Sequence, residues 1–95
     1  MKLAVVIGQV VSTVKSSGLE QERLLLVDFI GPDGKPEGET HVAADSIGAG
    51  DNEWVLVVQG SSARKTLNKN NMPIDMSVIG IVDEVVLRKK LVFHK

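Results

Sequence analysis

A glycine-rich stretch that leads into an apolar run constrains the fold of this chain more than any other segment. Gly48 and Gly50 precede the run Trp54–Val58, and Gly60 ends it. Glycine accepts positive φ angles and lets another backbone come within contact distance, because it carries no side chain. We therefore interpret the stretch as a loop, a strand and a corner.

The other apolar segments are also short and are separated by turn residues, which indicates further strands. Only 3% of the 95 residues are aromatic, so Val, Ile, Leu and Ala must form the core, and this favours strands. The first segment is apolar on both alternating faces and is predicted to be covered on both sides. Besides a strand over residues 53–59, we predict strands over residues 2–14, 23–30, 40–45, 77–86 and 91–93.

The connections between these strands differ in character. Residues 31–38 contain Gly and Pro so often that they predict an exposed loop between antiparallel neighbours, with Asp33-Gly34 as its tight turn. Residues 61–67 are predicted to form about one turn of helix with a Ser N-cap. Arg88-Lys89-Lys90 precedes the last strand, which is either an edge strand protected by lysines or an arm that pairs with a neighbour.

These elements predict an all-β fold: a single domain over residues 1–95 that forms a small five-stranded barrel. The barrel resembles the oligonucleotide-binding type, with one short helix and a C-terminal edge strand. A chain of this length covers only a small core, although 43% of its residues are hydrophobic. We therefore expect it to bury apolar surface against other copies as a homo-oligomer.

Charge and composition disfavour several classes of partner. The net charge of −1 gives no field that would attract nucleic acid or an anionic membrane surface. The absence of cysteine removes disulfides and thiolate metal ligands and is compatible with a cytoplasmic location. No apolar segment is long enough to span a bilayer, and the apolar N-terminal run is predicted to be the first strand and not a signal peptide.

A nucleic-acid or small-ligand binding barrel is the alternative function. Such barrels stack bases on aromatic rings along a basic groove. This chain offers only Phe29, Trp54 and Phe93 for stacking, and we interpret Trp54 as an apolar strand anchor at the end of the core.

No catalytic, cofactor or metal site is predicted. The segment 48–53 begins like a dinucleotide fingerprint but lacks the third glycine and precedes a strand. Gly60-Ser61-Ser62-Ala63 is not a hydrolase nucleophile elbow. His41 and His94 are distant in sequence and are expected at a surface or interface, while the aspartates beside apolar runs commonly bond turn amides.

Five ordered segments together resemble the bacterial microcompartment vertex family, to which the EutN and CcmL shell proteins belong. Their order and spacing across nearly the whole chain carry the resemblance. The segments are GQVVSTVK at 8–15, LLLV at 24–27, VAADSIGAG at 42–50, VLVVQGSSAR at 55–64 and IDMSVIGIVD at 74–83. The C-terminal residues 86–95 resemble the ethanolamine-utilisation branch most.

The resemblance implies a barrel that associates head-to-tail into a cyclic pentamer and caps the five-fold vertices of a polyhedral protein shell. Hexameric shell proteins would be its partners, its location would be the microcompartment shell in the cytoplasm, and its role would be structural and not enzymatic. Small or terminal residues are the candidates for the oligomer interface or symmetry axis: Ser46, Ile47, Gly48, Ala49, Gly50, Ser61, Ser62, Arg64, Leu91, Val92 and Phe93.

Arg64 has a more specific predicted role at the corner after the fourth strand. A guanidinium can hold a carboxylate with two parallel hydrogen bonds, which fixes an angle as well as a distance. Asp45, Asp75 and Asp83 are the candidate partners, and an ordinary surface arginine is the alternative.

Overall fold

The computed structural model describes residues 1–12, 22–60, 63 and 74–95. This part of the chain forms seven strands and confirms the all-β prediction. The strands are β1 (Lys2–Val10), β2 (Arg23–Ile30), β3 (Pro36–Asp45), β4 (Trp54–Gln59), β5 (Met76–Ile81), β6 (Glu84–Leu87) and β7 (Lys90–His94).

The first five strands close into the predicted five-stranded barrel, in the order β1-β2-β3-β5-β4. β1 pairs with both β2 and β4 and so closes the barrel. All pairings are antiparallel except the short parallel contact of β3 with β5, at Ala44↔Ser77 and Asp45↔Val78.

Small branched side chains fill the inside of the barrel, as the composition predicted. Five valines, one or two from each of four strands, are fully buried: Val6, Val27, Val55, Val57 and Val78. A β-branched side chain packs well on a pleated surface and has few rotamers to lose, which suits a narrow barrel.

The tripeptide Val-Ile-Gly occurs twice, at residues 6–8 and 78–80, and forms the same local structure each time. The pairing with the neighbouring strand shifts by one residue there, so that the isoleucine is the extra residue of a β-bulge. The glycine that follows lies under a leucine of the neighbouring strand: an added Cβ would meet Leu26 Cδ1 at 3.5 Å over Gly8, and Leu56 Cδ1 at 3.6 Å over Gly80. Each bulge thus lays one leucine flat on the outer surface of the barrel.

Two predicted strand ends are wrong by four residues each. β1 stops at Val10 and not at residue 14, and residues 13 and 14 lie outside the described part of the chain. β3 begins at Pro36 and not at residue 40, because the long β2 continues to pair with it as far as Ile30↔Pro36. The exposed loop is therefore only the turn between these strands. In that turn the Gly34 N–H donates to Gly31 O at 2.9 Å, and Gly34 has a φ of 80°.

The predicted fifth strand, residues 77–86, is in fact two strands. β5 ends at Ile81, and the Val82 N–H then donates to Trp54 O at 2.8 Å as the chain leaves the barrel. β6 then pairs antiparallel with β7 in a separate two-stranded sheet. The C-terminal edge strand is thus one half of a hairpin.

The predicted helix at residues 61–67 lies outside the described residues except for Ala63. Ala63 is helical and fully buried, and its N–H donates to Gly60 O at 3.1 Å.

Candidate functional site

The loop after β3, residues 46–50, is organised by one buried carboxylate. Asp45 ends β3 with its side chain fully buried. Its Oδ1 accepts the Ile47 N–H at 2.9 Å, and its Oδ2 accepts the Ala49 N–H at 2.9 Å. The Gly48 N–H reaches both oxygens, at 3.1 and 3.2 Å. This confirms that an aspartate beside an apolar run bonds turn amides here.

Arg23 balances the charge of this carboxylate. Its Nη1 lies 2.8 Å from Asp45 Oδ2, and the two residues are opposite each other in the β2–β3 register. Sequence reasoning named Asp45 as a residue that bonds turn amides and as a possible partner of Arg64, but it missed Arg23. The signal was available, because opposite charges stand at the two ends of strands predicted to be antiparallel neighbours. Arg64 itself lies outside the described residues, as do Ser61 and Ser62.

A second carboxylate holds the other end of the loop. Glu53 Oε1 accepts the Gly50 N–H at 2.6 Å, and its Oε2 lies 2.7 Å from Lys95 Nζ at the end of the chain. The hydrogen bond from Lys95, together with that from Gly50, holds the pKa of Glu53 below its ordinary value. The same contact raises the pKa of Lys95. The C-terminal residue is thereby tied to the loop.

This pair predicts a pH dependence of stability. A glutamate with a lowered folded pKa stabilises the fold above its unfolded pKa of about 4.3, and this contribution is lost as the pH falls through the lower folded value. The raised pKa of Lys95 sets the limit at high pH. The stability that Lys95 contributes is complete below its unfolded pKa of about 10.4 and is lost as the pH rises through its folded pKa. We expect Glu53→Gln to lower the urea midpoint at pH 7, with a difference from the parent that shrinks as the pH falls below about 4.

Glu37→Gln is the matched control, since Glu37 is an exposed glutamate. Its difference from the parent should stay near zero at every pH. A Glu53→Gln difference that does not change with pH would show that the ion pair is not the source of the effect.

The loop presents a mixed surface. Ser46, Ile47 and Gly48 are exposed, with Ile47 46% accessible. Gly48 has a φ of 100°, and no atom lies within 4 Å of a Cβ added there. Ala49, in contrast, is fully buried in the core of its own protomer, so its side chain is not available to a neighbour.

The β6–β7 hairpin is fastened to the barrel by its inner face. The Phe93 ring stacks on Trp54 with centroids 4.5 Å apart, and the Lys95 N–H donates to Asp83 O at 2.8 Å. Val92 lies 3.5 Å from the position of a Cβ on Gly34, so the β2–β3 turn also supports the hairpin. Trp54 is 9% accessible, which confirms its predicted role as an anchor at the end of the core.

The outer face of the hairpin is apolar and its tip is basic. Val86 and Leu91 are opposite each other and are 58% and 57% accessible. Arg88 and Lys89 form a two-residue turn with φ values of 51° and 66°. A tight hairpin turn of this kind favours Asn-Gly, and a left-handed residue other than glycine costs about 1 kcal/mol or more. The sequence thus keeps two cations at a position that disfavours them.

The histidines lie apart, and the structure corrects the expectation for one of them. His41 is half-buried and stacks on Phe29 at a centroid distance of 4.2 Å, so it packs beside the core and is less exposed than an ordinary surface residue. Lys2 Nζ lies 5.0 Å from the same phenylalanine ring. His94 is exposed, with Nδ1 3.5 Å from Glu84 Oε2.

Two further searches covered only the described part of the chain. It contains no group of three or more His, Cys, Asp or Glu side chains placed to hold a metal ion. It also contains no helix with the length and apolar character needed to cross a membrane.

Comparison with known proteins gives a consistent result. The family model described as ethanolamine utilisation protein EutN/carboxysome matches residues 1–83, which end just before β6. The bacterial microcompartment shell vertex protein EutN of Escherichia coli K12 is 55% identical over 95 residues, which cover all of both chains. The carboxysome shell vertex protein CcmL of Synechocystis is 45% identical over 100% of this chain and 95% of its own.

Solved structures resemble the whole chain. An ethanolamine utilization protein EutN superposes with a TM-score of 0.91 at 55% identity, covering 100% of this chain and 99% of its own. The pentameric microcompartment shell protein GrpN from Rhodospirillum rubrum superposes with a TM-score of 0.80 at 45% identity, covering 90% of this chain and 96% of its own.

Proposed function

Because this chain belongs to the EutN/CcmL family, we propose that it forms a cyclic pentamer that caps the five-fold vertices of a bacterial microcompartment shell. The observation that carries the proposal is the match of the entire barrel and hairpin to a vertex protein of the same length. The pentameric state of the related GrpN supports a ring of five.

The role of such a ring is geometric. A flat lattice of hexameric tiles closes into a polyhedron only where five-fold units introduce curvature. We propose hexameric shell proteins as the partners of this ring and the microcompartment shell in the cytoplasm as its location. We infer no enzymatic activity, since the relatives are described as shell proteins.

The compartment type is best supported as one for ethanolamine utilisation. Identity to the EutN proteins of Escherichia coli and Salmonella typhimurium is 55% and 57%, against 45% for CcmL of Synechocystis.

The alternative of a nucleic-acid binding barrel is disfavoured by the state of the three aromatic rings. Phe29 and Trp54 are 8% and 9% accessible, and Phe93 is occupied by its stack on Trp54. A barrel that binds single strands needs exposed rings for the bases. Neither this chain's charge nor its rings supply that mechanism.

Two surfaces are proposed to make the ring. The exposed part of the loop, Ser46, Ile47 and Gly48, would lie near the symmetry axis or at a protomer contact, with Ala49 and Gly50 contributing backbone. Leu91 and Val92 on the hairpin would pack across a subunit boundary, while Phe93 holds the hairpin to its own barrel. Small residues favour the first assignment because they allow close approach of neighbouring backbones.

The proposed function is tested by two measurements on the full chain. Native mass spectrometry should give a closed ring of five with no larger open species. Co-expression with the hexameric shell proteins of an ethanolamine compartment should give closed polyhedral shells in electron micrographs, and omission of this chain should give open or elongated ones. A monomer, or closed shells without this chain, would contradict the proposal.

Ile47 tests the loop surface without disturbing the fold. Ala49 is unsuitable for this purpose because a larger side chain there would disrupt the core of the protomer. Since Ile47 is exposed, Ile47→Glu should leave the thermal midpoint of the monomer nearly unchanged but weaken the ring at least about tenfold, as a charge buried in a contact does. Ile47→Ala is the graded control and should weaken the ring less. Equal ring stability in all three proteins would place the loop away from any contact.

A further inference from the structure

The outer face of the barrel carries an apolar surface that crosses three strands. Gly8 is opposite Leu26, and Leu26 is opposite Val42, so these residues form one row across β1, β2 and β3. Leu26 lies between Leu25 and Val27, which face the core, and must therefore point outward. Ile7, the extra residue of the bulge, is 47% accessible and Val42 is 48% accessible. We call Ile7, Gly8, Leu26 and Val42 the outer patch.

The bulge gives this patch its shape. Because Gly8 has no side chain, Leu26 lies across it at contact distance, and Leu26 joins Ile7 and Val42 into one apolar surface. A sheet face turned to water normally carries polar residues. An exposed apolar face across three strands therefore marks a contact surface.

The hairpin carries a second apolar surface of a different shape. Val86 and Leu91 stand side by side on the face turned away from the Trp54–Phe93 stack. We call these two residues the hairpin pair. The hairpin pair projects from a narrow arm, while the outer patch is broad and flat. The two surfaces thus differ in both shape and place on the chain.

Symmetry decides which surfaces can meet in a ring. Contact between two outer patches, or between two hairpin pairs, is isologous and ends at a dimer. A ring with an odd number of copies needs a heterologous contact, in which one surface meets a different surface of the next copy. Among these two surfaces, only the outer patch against the hairpin pair can continue around such a ring.

We propose that the hairpin pair of one copy docks on the outer patch of the next and forms the main contact of the ring. This inference rests on the proposed pentamer and names the surfaces that build it. The partner that docks on the outer patch is a second copy of this chain. The chain itself supplies both apolar surfaces, and the residues beside these two surfaces carry opposite charge.

The charges at these borders give the contact a direction. Asp28 follows Leu26 on the same outward face, and its Oδ1 accepts a hydrogen bond from Thr40 Oγ1 at 2.9 Å. The basic turn at Arg88 and Lys89 stands beside the hairpin pair, at the tip of the hairpin. Opposite charges at the rim of an apolar contact orient the approach of two proteins and suppress other arrangements.

Mixing two complementary variants tests the proposal. Val42→Asp spoils the outer patch and keeps the hairpin, while Leu91→Asp spoils the hairpin pair and keeps the patch. Each variant alone should be monomeric, with neighbour affinity reduced by at least about a hundredfold. The mixture should form a one-to-one heterodimer and nothing larger, since it contains one intact pair of surfaces and cannot extend further.

Gln9→Asp is the matched control. Gln9 is exposed on β1, and it pairs with the core residue Leu25, so its side chain belongs to the opposite face from the outer patch. It should form the parent ring. Circular dichroism of each variant verifies the fold, and the milder Val42→Thr and Leu91→Thr replace any variant that fails to fold, with the ring dissociation concentration as the readout.

Native mass spectrometry distinguishes the outcomes. A full ring from either single variant overturns the proposed contact but leaves the proposed pentamer intact. A mixture that forms no heterodimer overturns the proposed contact in the same way. A Leu91→Asp ring that fails only to enter shells would assign the hairpin pair to a neighbouring tile, which also overturns it. A parent chain that is monomeric would instead refute the proposed function, and this inference with it.

Discussion

Asp45→Ala is expected to lower the free energy of unfolding by about 3 kcal/mol and to weaken the ring. Three loop N–H groups donate to this carboxylate, and Arg23 contacts it from β2. Hydrogen bonds to a charged acceptor contribute about 1.5–3 kcal/mol each, but their sum is an upper bound because exposed loop amides regain water. With the proposed loop contact, the ring is weakened because the loop no longer holds Ile47 and Gly48 in place.

Two other aspartate variants calibrate this effect in urea unfolding. Asp28→Ala removes a half-exposed carboxylate with one hydrogen bond, and should cost under about 1 kcal/mol. Asp45→Asn keeps the size and one acceptor oxygen but loses the charge, and should fall between the two. If Asp45→Ala were as mild as Asp28→Ala, the carboxylate would not be what organises the loop.

The barrel could be predicted from the sequence because its strands are short apolar runs separated by strong turn signals. Residues 23–30 were predicted with the observed bounds, since Arg23 and Gly31 limit a run that is apolar except at Asp28. The strand over residues 53–59 differs from β4 by one residue at its start. Such limits are local and need no knowledge of the partner strands.

The errors arose where long-range pairing decides the structure. Pro36 and the residues after it look like loop, but β2 extends far enough to pair with them. The Val-Ile-Gly bulges left no trace in periodicity, because a bulge is defined by the register of two strands and not by one of them. The hairpin was missed because the apolar residues on both sides of Asp83 and Glu84 were taken as one strand, whereas the Val82–Trp54 hydrogen bond marks where the chain turns away from the barrel.

The candidate site was predictable in position but not in mechanism. Glycines indicated a tight loop at residues 48–50, and Gly48 does adopt a positive φ. Asp45 and Glu53 hold the two ends of this loop. Asp45 is paired with Arg23, 22 residues earlier in the chain, and Glu53 is paired with the last residue, Lys95. The predicted pairing of two antiparallel strands could have linked Arg23 to Asp45, but no spacing rule links Lys95 to Glu53, so the fold is needed to show that both cations serve the same loop.

Removal of the hairpin, residues 84–95, should have the largest effect on assembly. All five barrel strands pair among themselves, and the family match also ends at residue 83, so the truncated chain should still fold. It loses the Phe93–Trp54 stack and the Lys95–Glu53 ion pair. Exposing Trp54 should cost about 1–3 kcal/mol of stability.

The ring, in contrast, should disappear completely in native mass spectrometry, because each contact loses the arm that reaches the next copy. The cut belongs at Asp83 and not after Leu87, since β6 would otherwise be left as an unpaired edge strand that promotes aggregation. Phe93→Ala distinguishes attachment of the hairpin to its own barrel from docking of the hairpin on the next copy. It keeps Val86 and Leu91 but removes the stack that holds the hairpin against Trp54. We expect it to weaken the ring without abolishing it, because a hairpin that must first become ordered binds less tightly. A truncated chain that still formed the full ring would show that the barrel alone makes the contact and that the hairpin serves another surface.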